Sequence, residues 1–237
     1  MAFDFYSKKY YKIDYDALYS ELMFGTKGKL FTSIKKRENY LTEWIDLLKQ
    51  SEQRSDLLLK TMSENDEYAD YYINSENFQL PFLYLSQTIS IHFNISKTLS
   101  TLPTGYSKKS HLVHVDQFLG NQSVFLWTPV DFDSSRKIKQ HTPIIAVPFL
   151  DTHFDYLIID GNTRLTSWIS NKEKIPTLII DINSLVENKL FCSEFDMVHY
   201  IFRYDLISLG NLFNRKKITD QQLFESSFLN NKLFRSK

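Results

Sequence analysis

The sequence predicts an α+β chain, with a small mixed β-sheet core and helical N- and C-terminal additions. Three observations lead to that class. Short β-branched or aromatic runs separated by turn residues crowd residues 111–180. Apolar residues recur at three- and four-residue steps ahead of them, and the tail beyond them shows no alternation. Between about Thr142 and Asp181 the pattern reads strand–turn–helix–strand, with Asp160-Gly161-Asn162-Thr163-Arg164 as the turn.

The first hundred residues read as mainly helical. Ile13, Ala17, Leu18 and Leu22 give a short amphipathic helix that Gly25 and Gly28 interrupt. A longer helix carries Tyr40, Leu41, Trp44, Leu47 and Leu48 on one face. Ser63 to Glu67 is polar and reads as a loop or a helix start, with Ser63 or Asp66 as cap. Phe82 to Ile91 suits a helix or a buried strand equally. The stretch from Thr101 to Ser110, with Pro103 and Gly105, is the clearest linker. The division expected is a helical region over 1–105, a core over 106–182 and a helical region over 183–237. Within the core, strands are expected at His111–Phe118, Ser123–Val130, Thr142–Phe149, Tyr156–Ile159 and Ile175–Ile180, with a turn at Asp151-Thr152-His153 and a helix through Trp168 and Ile169. The tail ends in helix-capable sequence, Thr219 to Phe224.

Composition narrows the function classes. Hydrophobic residues are 43 % of the 237, enough for a substantial core. Lys+Arg and Asp+Glu both number 28, which argues against a surface that is one electrostatic trap for nucleic acid. The single cysteine, Cys192, excludes an intrachain disulfide and a cysteine zinc cluster. Neither a secretory leader nor a membrane-length apolar run is visible, so a soluble cytoplasmic protein without a membrane partner is expected.

The turn is where chemistry is expected. A buried strand, Ile158-Ile159, ends at Gly161, which takes a sharp turn without a side-chain clash. The helix that follows turns its first N–H groups outward, where an anion is held by backbone donors. Arg164 adds a forked positive charge, and Leu165, Trp168 and Ile169 fasten the helix to the sheet. The bland alternative makes Asp160 or Asn162 a helix cap and pairs Arg164 with a neighbouring carboxylate. Arg164 is expected at a surface turn.

Thr142-Pro143-Ile144-Ile145-Ala146-Val147, then Tyr156 through Leu165, then Ile175-Pro176-Thr177-Leu178-Ile179-Ile180 resembles the ParB-like/sulfiredoxin-like superfamily over about forty residues. The resemblance implies that the turn binds nucleotide phosphates: CTP in partition proteins, ATP in sulfiredoxins and related amino-acid kinases. It therefore implies ATP or CTP with magnesium, or another phosphorylated small molecule, held by Asp160, Gly161, Asn162, Thr163 and Arg164. Phosphoryl transfer or nucleotide hydrolysis could be coupled to that binding. The alternative is a non-enzymatic, DNA-associated or regulatory protein whose turn acts as a switch or grips a DNA phosphate weakly. Asn162 stands where sulfiredoxins have cysteine, so sulfinic-acid reduction is not expected. Leu165 and Thr166 follow Arg164 where partition proteins carry a second arginine, and no helix-turn-helix is evident downstream.

Other constellations carry less. Gly25-Thr26-Lys27-Gly28-Lys29-Leu30 lacks the hydroxyl residue and the first glycine of a P-loop. His111 and His114 would point to opposite faces of a strand and cannot share an ion, so no metal site is expected. Asp131 and Asp133 would share a face and could hold magnesium, or they form a solvated turn. His141 leads into the Pro143 strand near the mouth of the turn, or sits at a strand end on the surface. Lys35-Lys36-Arg37 and Arg215-Lys216-Lys217 are short basic runs that read mainly as solvated faces.

Overall fold

A computed structural model of the chain describes residues 12–25, 30–64, 75–101, 110–130, 142–149, 153–215 and 218–230. The fold is α+β and divides into two compact units, one formed by Met1–Asn94 with Lys189–Lys237 and one by Ile95–Asn188.

In the first unit, α1 (Tyr15–Phe24) begins at Asp14, whose carboxylate accepts from the Ala17 N–H at 2.9 Å. It stops at Gly25, whose N–H donates to the Glu21 carbonyl. The expected long helix is α2 (Ile34–Glu64), and it buries Tyr40, Leu41, Trp44, Ile45 and Leu48 along one stripe. Ser63 and Glu64 lie in its last turn, and the rest of the expected loop or helix start, Asp66 included, lies outside the described residues. The ambiguous apolar segment is a β-hairpin: β1 (Asn77–Leu83) pairs antiparallel with β2 (Thr88–Asn94), from Leu83↔Thr88 to Asn77↔Asn94. The first hundred residues are thus less helical than expected. A Pro81 and six β-branched or aromatic residues in these strands favour the extended form, and burial on a partner settles it. β2 also bonds to the 190–192 segment: Asn94 N–H donates to the Leu190 carbonyl and Cys192 N–H to the His92 carbonyl. The tail supplies α6 (Glu194–Arg215) and α7 (Asp220–Glu225). Thr219 and Gln222 form a reciprocal capping box at the start of α7.

The second unit opens with α3 (Ile95–Thr101) and holds a five-stranded mixed sheet. Its strands are β3 (His111–His114), β4 (Phe125–Leu126), β5 (Ile144–Pro148), β6 (Tyr156–Asp160) and β7 (Lys174–Ile179), in spatial order β3-β7-β5-β6-β4. Two expected strands are shorter than foreseen. Val115–Phe118 is a 3₁₀ turn whose N-cap is His114, and only Phe125–Leu126 of the 123–130 run pairs. Residues 151 and 152 of the expected turn lie outside the described residues. Between β6 and β7 runs α4 (Asn162–Trp168), and α5 (Ile182–Glu187) follows β7 with Asp181 as its N-cap.

The three inner strands are paired so that the end of β6 meets the start of β5. Ile145 faces Asp160, Ala146 faces Ile158, and Ile159 is the extra residue of a bulge between them. Ile144, Ala146, Ile158 and Ile175 from the sheet pack with Leu165 and Trp168 from α4 and with Phe118 and Phe125. The Phe118 and Phe125 rings stack at 4.6 Å between centroids, and Phe125 stacks on Tyr156 at 5.1 Å. Burying Leu165 and Trp168 contributes roughly 1.5–3 kcal/mol each before entropy is subtracted. That packing pins a helix too short to form alone.

Candidate functional site

The Asp160–Arg164 turn sits at the end of β6 beside the first residues of β5. Gly161 has φ +94°, in the left-handed region. A Cβ there would stand 2.7 Å from Ile144 Cγ2 and 2.9 Å from Arg164 Nη2, so the backbone conformation and the closeness of the walls both demand glycine. Gly161 is also the N-cap of α4, and as a glycine it makes no side-chain capping bond to the first-turn amides. Neither Asp160 nor Asn162 caps the helix. Their side chains are committed elsewhere.

Asp160 is nearly buried at 9 % exposure, and its Oδ2 accepts from Arg164 Nη2 at 2.8 Å. The same Nη2 donates to the Pro143 carbonyl at 3.2 Å. Arg164 keeps 16 % of its side chain exposed, which corrects the expectation of a surface arginine: its guanidinium is tucked under the turn. Its Nε is buried with no acceptor among the described residues. A donor in that condition costs about 1–3 kcal/mol relative to one that is satisfied. Thr163 is the exposed residue of the turn.

Asn162 accepts through Oδ1 from the Thr128 N–H at 3.1 Å, and Thr166 accepts through its hydroxyl from the Val130 N–H at 3.2 Å. The Thr166 hydroxyl in turn donates to the Asn162 carbonyl at 2.9 Å. The segment through Val130 is therefore laced to the first turns of α4. This lacing and the Pro143 acceptor were not legible as site features, because each joins residues 21 to 36 positions apart. The one local hint was Thr166 four residues after Asn162 on a helix.

Asp131, Asp133 and His141 lie outside the described residues. His111 and His114 occupy β3 at positions of opposite facing, and His114 Nδ1 lies 3.0 Å from Asp116 Oδ2. Among the described residues no group of three or more His, Cys, Asp and Glu side chains could hold a metal ion. Gly25 is the end of α1, and residues 26–29 are outside the described set. Cys192 is buried, with Sγ donating to Asn77 Oδ1 at 3.2 Å. Of the first basic run, Arg37 donates to the Met23 and Phe31 carbonyls and Lys36 to Gln221 Oε1. No described helix is long and apolar enough to cross a membrane.

Comparison with protein-family models, curated proteins and solved structures finds no match to the chain.

Proposed function

We propose that the Asp160–Arg164 turn binds a phosphorylated ligand, with a nucleotide such as ATP or CTP, carried with magnesium, as the leading class. The observation that carries this is the state of Arg164: a guanidinium fixed against a turn whose N-cap is glycine, with a buried Nε that finds no acceptor among the described residues. A phosphate oxygen brings acceptors, and the amides at the start of α4 add donors. α4 has only seven residues, so its dipole adds little and these discrete donors matter most.

Asp160 sets the ligand's character. Its carboxylate neutralises Arg164, so a bare anion approaching the pair meets no net charge. A ligand that brings a divalent cation gives Asp160 a partner while its phosphate takes the guanidinium. On this reading β5, β6, the turn, α4 and β7 form a ParB/sulfiredoxin-like core, and the glycine-to-arginine spacing is its binding signature. Asn162 after the glycine leaves sulfinic-acid reduction without its thiol. Coupling to phosphoryl transfer would require a further carboxylate.

The test is calorimetry and thermal shift with ATP, CTP, GTP and deoxynucleotides, each with and without magnesium, on the native chain and on Arg164→Lys. One class is expected to raise the melting temperature, and the lysine variant is expected to bind it at least about tenfold more weakly because the fork is lost. Absence of any response in the native chain, or equal affinity in the variant, overturns the reading. A response to duplex DNA and to no nucleotide would move the turn to the DNA-associated role.

A further inference from the structure

His199, on α6, has no exposed surface. Its ring is enclosed by Phe82 at 5.1 Å, Phe195 at 5.7 Å, Tyr84 at 5.9 Å and Phe202 at 6.3 Å between centroids. Tyr84 opens the turn between β1 and β2, and its N–H donates to the Gln87 carbonyl. The Tyr84 hydroxyl and His199 Nε2 lie 3.0 Å apart, joining that turn to α6. His199 Nδ1 is buried with no partner among the described residues.

A neutral imidazole tolerates this cage in the tautomer that donates Nε2–H to the Tyr84 oxygen, because Nδ1 then presents only a lone pair to the rings. An imidazolium does not, because both nitrogens then carry protons and Nδ1–H meets no acceptor. The charged and titratable groups that face the ring add to the penalty. Arg203, one turn further along α6, lies 5.4 Å from both the Phe82 and Tyr84 ring centroids and repels a second cation. Asp196, the acid one turn earlier, is spent on β2 and its own turn: it lies 3.2 Å from His92 Nδ1 and accepts from the Ser193 hydroxyl at 2.7 Å. Glu21 of α1 accepts from the Leu85 N–H and bears on Tyr84 rather than on the imidazole.

We propose that His199 is a proton-operated latch: neutral, it holds the β1–β2 hairpin on α6, and protonated it releases it. Burial, reinforced by Arg203, holds the imidazole well below its ordinary pKa while the latch is closed. An opened latch returns it to the ordinary value of about 6.5. The open state therefore binds more protons, and the latch is at full strength above that value and weakens as pH falls through it. A two-stranded hairpin without its support is marginal in water, so release also frays its own ladder.

The test is amide hydrogen exchange over residues 77–94 and at Cys192 between pH 7.5 and 5, corrected for intrinsic rates, on the full chain. The opening constant is expected to be flat above about pH 6.5 and to rise by up to about tenfold per pH unit below it. In His199→Phe that rise should vanish, whereas in His92→Asn it should persist. Hairpin protection that falls with the same slope in His199→Phe overturns the latch, as does parallel loss in α2, which would mean global unfolding. A measurement without variants guards against a misfolded mutant: the His199 ring must remain neutral by NMR for as long as the hairpin amides stay protected. A ring that titrates near pH 6.5 under a protected hairpin overturns the proposal too.

Discussion

Arg164 Nη2 and Asp160 Oδ2 are 2.8 Å apart across Gly161, and this ion pair is four-fifths or more withdrawn from solvent on both sides. It makes the turn a charge-neutral, preorganised unit rather than an open cationic patch. The same contact separates what the arginine does for the fold from what it does for a ligand.

Removing the guanidinium should therefore cost stability as well as binding. Arg164→Ala leaves Asp160 nearly buried without its cation and Pro143 without its donor. Breaking such a pair from one side costs roughly 2–4 kcal/mol at this partial exposure. Urea unfolding of Arg164→Ala should show a loss in that range, and a loss below about 0.5 kcal/mol would mean the pair is ornamental. For that reason Arg164→Lys, which keeps the charge, is the better probe of ligand binding.

Gly161 should tolerate no side chain. Alanine pays about 1–2 kcal/mol for the left-handed backbone and must also push Ile144 Cγ2 away from 2.7 Å. Asparagine accepts positive φ more readily but carries the same Cβ. If the clash dominates, Gly161→Ala and Gly161→Asn should destabilise alike, by at least about 2 kcal/mol. A markedly milder asparagine variant would show that conformation alone makes the glycine necessary.

Much of this turn was legible because its requirements are local: a buried strand, a glycine for positive φ, and apolar residues spaced to seat a two-turn helix. What could not be read was where Arg164 spends its donors, since Pro143 lies on another strand and Asp160 faces inward only through the bulge at Ile159. The β1–β2 hairpin was ambiguous for a related reason. Leu80, Phe82, Ile89 and Ile91 are apolar in either period, and their pairing with each other, together with the bonds of His92 and Asn94 to the 190–192 segment, fixes the strand form. The 3₁₀ turn at Val115–Phe118 likewise depends on where Phe118 must stack on Phe125 rather than on any local propensity.

Asp220 gives a stability prediction with a definite sign. It accepts from the N–H groups of Thr32 and Ser33 and from the Thr32 hydroxyl, at 3.0, 2.7 and 2.8 Å, capping the entry to α2 from the start of α7. Desolvation pushes its pKa up, but the Ser33 and Thr32 donors outweigh it and hold the carboxyl below the ordinary value. A lowered folded-state pKa contributes stability above the unfolded value of about 3.9 that is lost as pH falls through the folded one. Asp220→Ala should thus cost about 1 kcal/mol at pH 7 and progressively less below pH 4. Equal cost at pH 7 and pH 2.5 would mean that packing, not the charged cap, is what the residue supplies.

Duplex DNA should bind weakly and only at low salt. The chain carries no net charge, and the first basic run is partly committed inside the protein. Arg37 is held by the Met23 and Phe31 carbonyls, and Lys36 reaches Gln221 of α7. Lys35 is the one member of that run with no such engagement in the described contacts, and of the second run only Arg215, the last residue of α6, lies within the described backbone. A surface offering two or three phosphate contacts has a salt slope of about −2 to −3, against −6 or steeper for a protein built on many. Fluorescence anisotropy with a labelled duplex at 50 and 150 mM salt, with and without nucleotide, should give a shallow slope and no submicromolar complex at the higher salt. Tight binding there without nucleotide would place function on a basic face rather than on the turn. Tight binding only with nucleotide would instead make the Gly161–Arg164 turn the sensor of a ligand-gated DNA clamp, with Arg164→Lys expected to abolish the gating.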